Sequence, residues 1–190
     1  LKAQENYRRR FMLTYPNEEL PAARKWRTTP SYDALDAQGA VWGASFGLEH
    51  ALWFSPEGPR QVETPSFRRS NAFGPVAGEC RAVRTRVGLL DLSSFAKFDV
   101  VGPDAEAMLN RLCANRMAKR QGGIALTHML SGDRMIESEM TVTRLADDHF
   151  YVLSAAVGEL HDLDMLVQGR HENEDAAITN LSDDYAMLAL

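Results

Sequence analysis

Residues 126–145 constrain the fold of this chain more than any other stretch, because two β-patterned runs flank a short segment with turn chemistry. Ser131, Gly132 and Asp133 supply the turn: glycine tolerates unusual dihedrals, and Ser and Asp side chains hydrogen-bond the local backbone. After it, Ile136, Ser138, Met140 and Val142 alternate with Glu137, Glu139, Thr141 and Thr143. Successive side chains of a strand point to opposite faces, so the alternation predicts a strand carrying both glutamates on one side. A carboxylate row of this kind is either a solvated face or, at Glu139 with its small and apolar neighbours, the lining of a cleft.

The remaining pattern mixes short helices with strands. Residues 2–15 predict a helix broken by Pro16, and Ser31 or Asp33 is placed to start another reaching Asp36. Residues 39–54 are aromatic and glycine-interrupted, which suits strand and bend, and 55–65 read as loop. From Pro75 a helical stripe of Val76, Ala77, Cys80, Val83 and Val87 runs toward Gly88, which is placed to end it. Two short strands follow over 89–101. Gly102-Pro103 then opens a helix, with Pro103 at its first position and an apolar stripe of Ala105, Met108, Leu109 and Leu112. Strands over 124–130, 135–145 and 149–154 form an antiparallel meander, 159–167 a helix ended by Gly169, and 177–181 and 185–190 further strands. Antiparallel strands with interspersed helices make the expected class α+β.

Composition narrows the function classes. The formal charge of −5 over 190 residues leaves no basic excess for a nucleic-acid partner. Arg8-Arg9-Arg10 is a short cluster, expected on a solvated or ion-paired face. No apolar run is long enough to span a bilayer, so no membrane partner is expected. Cys80 and Cys113 are too few for a disulfide framework and point to a reducing compartment. The histidines are scattered and the cysteines lack partners at ligand spacing, so no metal site is expected.

Several runs carry a family resemblance. The 126–145 segment resembles the folate-binding stretch of the glycine-cleavage T-protein superfamily, in the form fused to flavin-dependent dimethylglycine and sarcosine dehydrogenases. Glu79-Cys80-Arg81-Ala82-Val83-Arg84, Val87 to Phe95, Val101-Gly102-Pro103-Asp104-Ala105 and Glu159-Leu160-His161-Asp162 are similar to further marks of that module. Tyr15-Pro16-Asn17-Glu18, Arg27-Thr28-Thr29-Pro30 and Gly47-Leu48-Glu49-His50 resemble the connector that joins a flavin domain to it. The resemblance implies a connector over residues 1–74 and the N-terminal part of an aminomethyltransferase-like, truncated T-protein-like folate-binding fold over 75–190. It implies a piece of an N-methyl amine dehydrogenase, with tetrahydrofolate capturing the oxidised methyl as 5,10-methylene-tetrahydrofolate. FAD would sit in a flavin domain of the same polypeptide outside this chain, since no Gly-x-Gly-x-x-Gly follows a strand here. The expected location is the cytoplasm, or the mitochondrial matrix in a eukaryote.

Carried over by position, the family's catalytic Asp falls on Glu139, which keeps the charge on a longer arm. Leu126, where the family often has Tyr, and Thr127 are the further folate-binding candidates. Leu126 reads as an apolar wall or, more simply, a core leucine. Arg134-Met135 stand where the family has Gly-Gly, so a turn needing positive φ would be costly here. Arg134 reads as a solvated turn residue with an anion-binding alternative, and His128 as structural or titrating near neutrality. Glu49, His50, Trp42 and Trp53 read as a small core or an interdomain contact. Arg81, Arg84 and Arg86 beside Glu79 read as surface ion pairs.

The chain opens on Leu1 and closes inside an apolar run, which leads to the expectation of a piece cut from a longer enzyme, inactive in isolation. Two rivals stand beside it: a stand-alone folate-dependent aminomethyl or methyl transferase, and a degenerate module used for assembly or regulation.

Overall fold

A computed structural model describes residues 1–59 and 61–190. The chain divides into two compact units, Leu1–Ser93 with Asp183–Leu190, and Ser94–Ser182. The expected module boundary between residues 74 and 75 falls inside the first unit.

In the first unit, helix α1 (Lys2–Arg9) stops well short of Tyr15 and buries no residue. A helix this short with no buried face gains little from tertiary packing, which accounts for its early end. Arg9 pairs with Glu18, as expected for an ion-paired cluster. Helix α2 (Tyr32–Ala37) follows Ser31, whose side chain makes no capping bond to the helix. It turns instead to Thr29 and to the Asp91 carboxylate. Strands β1 (Ala40–Ser45) and β2 (Leu48–Phe54) form an antiparallel hairpin across Phe46 and Gly47, both at positive φ.

Helix α3 (Phe73–Thr85) ends before Gly88, because Arg86 takes an extended conformation and closes the last turn. Glu79 accepts the Phe54 backbone N–H at 2.8 Å, so it tends a strand end rather than the neighbouring arginines. Strand β3 (Leu90–Asp91) pairs with β9 (Leu188–Ala189), which covers only part of the apolar run expected over 185–190. The unit's apolar cluster is small: Val41, Trp53 and Ala72. Trp53 therefore belongs to a small core, while Trp42 stacks on Tyr32 at 4.0 Å and donates to Asp36 at 2.9 Å.

The second unit is a two-layer α+β structure. Its sheet runs in the order β5-β6-β7-β4-β8, with every neighbouring pair antiparallel: β4 (Ala96–Val101), β5 (Ile124–Leu130), β6 (Ile136–Arg144), β7 (His149–Ser154) and β8 (Ala177–Asn180). The expected β5-β6-β7 meander is thus present. Helix α4 (Ala105–Leu112) begins two residues after Pro103, which lies before the Asp104 cap rather than at the first helical position. Helix α5 (Glu159–Gly169) follows a short 3-10 turn, and Gly169 is its last residue.

Both helices contribute to a core against one face of the sheet. Phe98, Val100, Met140, Val142, Phe150 and Val152 meet Ala105, Met108, Leu109 and Leu166 there. Arg144 also points to this side, and its charge is matched: it donates to Ala118 O at 2.6 Å and Asp147 O at 2.9 Å, and pairs with Glu106 at 2.5 Å. A buried guanidinium is tolerated because each of its three nitrogens finds an acceptor.

Candidate functional site

The β5-β6 hairpin has two different faces, one against the core and one open. On the core side, β5 buries Thr127 and Met129, and β6 buries Met140, Val142 and Arg144. On the opposite side, cross-strand register sets Leu126 beside Thr141 and His128 beside Glu139. Residues two apart on one strand share a face, so Leu126, His128, Thr141 and Glu139 form a contiguous patch.

Leu126 is 59% exposed, which overturns its reading as a core leucine: the inward places of β5 are already taken by Thr127 and Met129. Its side chain is instead an apolar wall on open surface. The Glu139 side chain is 66% exposed, and its Oε2 lies 3.3 Å from His128 Nε2. Thr127 stands apart from both. It is fully buried on the core side, where its hydroxyl accepts the Asn115 N–H at 3.0 Å and approaches Asn115 Oδ1 at 3.3 Å. The structure therefore brings Leu126 and Glu139 together and turns Thr127 away from them.

Local geometry explains the separation of the two glutamates. Met129 pairs with Ser138 and Leu130 with Ile136, so Glu137 is an extra residue in β6, a bulge that interrupts the alternation. Glu137 reaches toward His161 at 3.8 Å, whereas Glu139 lies on the regular ladder opposite His128. The turn between the strands closes through Ser131 N–H to Met135 O and Arg134 N–H to Ser131 O, both 2.9 Å. Arg134 sits there at φ 67°, the conformation glycine would adopt without strain and an L side chain adopts at a cost of about 1 kcal/mol. Ser131 Oγ donates to Asp133 at 2.5 Å, and this bond holds the Asp133 carboxyl below the ordinary range.

The patch changes character across the sheet. Leu126, Thr141, Leu153 and Lys97 are successive register partners across four strands, and exposure falls from Leu126 to Lys97, which is 0% exposed. Lys97 Nζ donates to Phe95 O at 2.7 Å and Ser182 O at 3.1 Å. Reading the sequence did not single out this lysine; an isolated Lys in an apolar strand was the available signal.

Other ionisable groups serve the scaffold. In the first unit Glu49 is 1% exposed and is gripped by Arg24 at 2.8 and 2.5 Å and by the Lys25 N–H at 2.7 Å. Burial alone would raise the Glu49 carboxyl, but the bonds from Arg24 and the Lys25 backbone outweigh it and hold the pKa below the ordinary value. A cavity of about 460 Å³ beside this pair is lined by Tyr32, Trp42, Val41 and Leu52, and includes neither Glu139 nor Leu126. Among the described residues no cluster of three His, Cys, Asp or Glu is arranged to hold a metal ion, and no helix is long and apolar enough to cross a membrane.

Against known proteins, a sequence model of the GCVT N-terminal domain matches residues 31–190. The mitochondrial dimethylglycine dehydrogenase of Rattus norvegicus is 34% identical over 100% of this chain and 22% of its own length. The mitochondrial sarcosine dehydrogenase of Homo sapiens is 30% identical over 78% of this chain and 19% of its own. The chain thus spans about a fifth of these relatives. The glycine cleavage system aminomethyltransferase T of Bartonella henselae superposes with a TM-score of 0.62 at 22% identity, covering 82% of this chain and 38% of that one. Its fold is shared. The antiparallel sheet, the exposed hairpin face and the match over residues 31–190 together make this chain a member of the GCVT N-terminal domain family.

Proposed function

We propose that this chain is the folate-handling part of a flavin-dependent N-methyl amine dehydrogenase of the dimethylglycine or sarcosine type. The observation that carries the reading is the pairing of an exposed carboxylate, Glu139, with an exposed apolar side chain, Leu126, on one face of one hairpin. A reduced pterin is flat and largely apolar, with N–H donors along its edge. Such a ligand calls for an apolar wall and a negatively charged acceptor close together, and this face offers both. The identity to dimethylglycine dehydrogenase over the whole chain supports the same reading.

Tetrahydrofolate would supply the two nucleophilic nitrogens, N5 and N10, that take up a one-carbon unit at the formaldehyde oxidation level to give 5,10-methylene-tetrahydrofolate, with water leaving from formaldehyde or the amine from an iminium. The role of this chain's residues is positional and electrostatic. Glu139 accepts a hydrogen bond from the ligand and opposes positive charge that develops during capture. Leu126 shields one face of the ring from water, and Thr127 holds β5 to Asn115 from the core side. Oxidation of the amine belongs to a flavin domain of the same polypeptide, with residues 1–74 as connector and 75–190 as the start of the folate module. The matrix is the site of action in a eukaryote, as for the relatives named mitochondrial.

The test uses the full-length natural protein. Glu139→Ala is expected to lower methylene-tetrahydrofolate formation by about a hundredfold while amine oxidation continues, because a positioned charge-stabilising group is lost. Glu137→Ala, at the bulge, leaves product yield near normal. Unchanged folate product in a stable Glu139→Ala protein would defeat the reading.

A further inference from the structure

His128 was the less informative member of the hairpin in sequence, yet it faces Glu139 in exact cross-strand register, with Nε2 3.3 Å from Oε2. Its main chain is fixed from the other edge of β5, where its carbonyl accepts the Ala114 N–H at 2.9 Å. The imidazole is thus carried on backbone held from both sides, and its ring is 35% exposed. Other charged groups on neighbouring elements are Asp133 and Arg134 in the turn, Glu137 on β6, Arg116 in the segment beside β5 and His161 at the start of α5. Glu137 and Asp162 are taken up by His161, at 3.8 and 3.0 Å, which leaves Glu139 as the carboxylate that His128 meets at ion-pair distance.

We propose that His128 is the positioning residue of Glu139 and gates its charge. Neutral His128 lies beside the carboxylate, Nε2 3.3 Å from Oε2, and leaves its negative charge available to a cationic or N–H-bearing ligand on the open face. Protonated His128 draws Glu139 into an ion pair, turning the carboxylate toward β5 and cancelling its charge. Uptake of one proton at His128 therefore switches the patch from an acceptor of positive charge to a neutral surface, with no change of fold. The proposal rests on the folate reading for the ligand's identity, but the His128–Glu139 coupling is independent of it.

Two measurements on wild type, His128→Gln and Glu139→Gln decide it. The first is an NMR titration of the His128 ring without ligand. An exposed pair couples weakly, so the course of that titration should change modestly in Glu139→Gln. The second is tetrahydrofolate affinity against pH. Wild type should weaken several-fold between about pH 7.5 and 5.5, and His128→Gln, which keeps a donor but cannot titrate there, should stay flat across that range. An unchanged titration, or an acid limb that survives in His128→Gln, overturns the proposal. A changed titration in a protein that takes up no folate at any pH sustains the pair and refutes the folate reading instead.

Discussion

The second unit buries fifteen apolar residues in one cluster beneath its sheet, among them Phe98, Met140, Phe150 and Leu166, whereas the cluster of the first unit has three, Val41, Trp53 and Ala72. What the first unit lacks in apolar burial it replaces with directed contacts: Glu49 with Arg24 and Lys25, Arg9 with Glu18, and Arg27 with Asp183. Among the described residues it also carries four non-glycine residues at positive φ, Asn17, Ala23, Lys25 and Phe46, against Arg134 in the second. Apolar cohesion does not titrate and is not weakened by charge screening, while ion pairs and hydrogen bonds to carboxylates respond to both pH and screening. The two units should thus fail under different insults.

The largest expected effect lies in the sheet core. Phe98→Ala should destabilise the second unit by about 3–5 kcal/mol, since a fully buried ring is removed from a packed layer that can only partly collapse. Hydrogen exchange of β4 and β7 amides reads this directly. A loss below about 1.5 kcal/mol would mean the core is loose and the contrast drawn above is false.

Glu49→Gln comes next, at about 3 kcal/mol, because it leaves the Arg24 guanidinium facing a neutral partner in a buried setting. Acid should act in the same way. The Glu49 carboxyl is held below its ordinary value, so its contribution is present above the unfolded-state pKa and is lost as pH falls through the folded one. Exchange followed as pH falls below about 4.5 should open the β1-β2 hairpin before the five-stranded sheet. Simultaneous loss of both would erase the distinction.

The smallest effect is expected at high pH and in the other unit. Burial pushes the Cys113 thiol up to about 11, with the Thr127 hydroxyl opposing weakly. The unfolded chain ionises first, so this stabilisation is full below about pH 9 and declines between there and about pH 11, a loss of about 2–3 kcal/mol at most. Cys113→Ser should flatten that alkaline limb in a thermal melt. An alkaline limb of equal size in the variant would assign it elsewhere.

Much of the second unit was legible in sequence because its signals are local. Strands β5 and β7 fall where alternation and the turn residues put them, and Ala105, Met108 and Leu109 form the expected buried stripe. What escaped is non-local or depends on competition. Arg24 and Glu49 are far apart in sequence, and no periodicity links them. Leu126 reads as core until Thr127 and Met129 are seen to occupy the inward places. Glu137 follows a clean alternation on paper, and only the pairing of Leu130 with Ile136 makes it the residue that bulges. Glu139 was found by resemblance and position; the geometry added its neighbour His128.

That bulge has an evolutionary corollary. Side chains in a strand change faces with every residue, so a one-residue slip of β6 against β5 would deliver Met140 to the open face and drive Glu139 toward the core, whereas loss of Glu137 alone would close the bulge and leave Glu139 opposite His128. Drift in this hairpin can exchange one amino acid for another with modest cost, as Arg134 at its strained dihedral illustrates, and it can shed the bulged residue, but it cannot slip the register. Register in this hairpin should accordingly be inherited more strictly than letters, and a natural variant in which β6 has slipped by one residue would be expected to have surrendered the carboxylate.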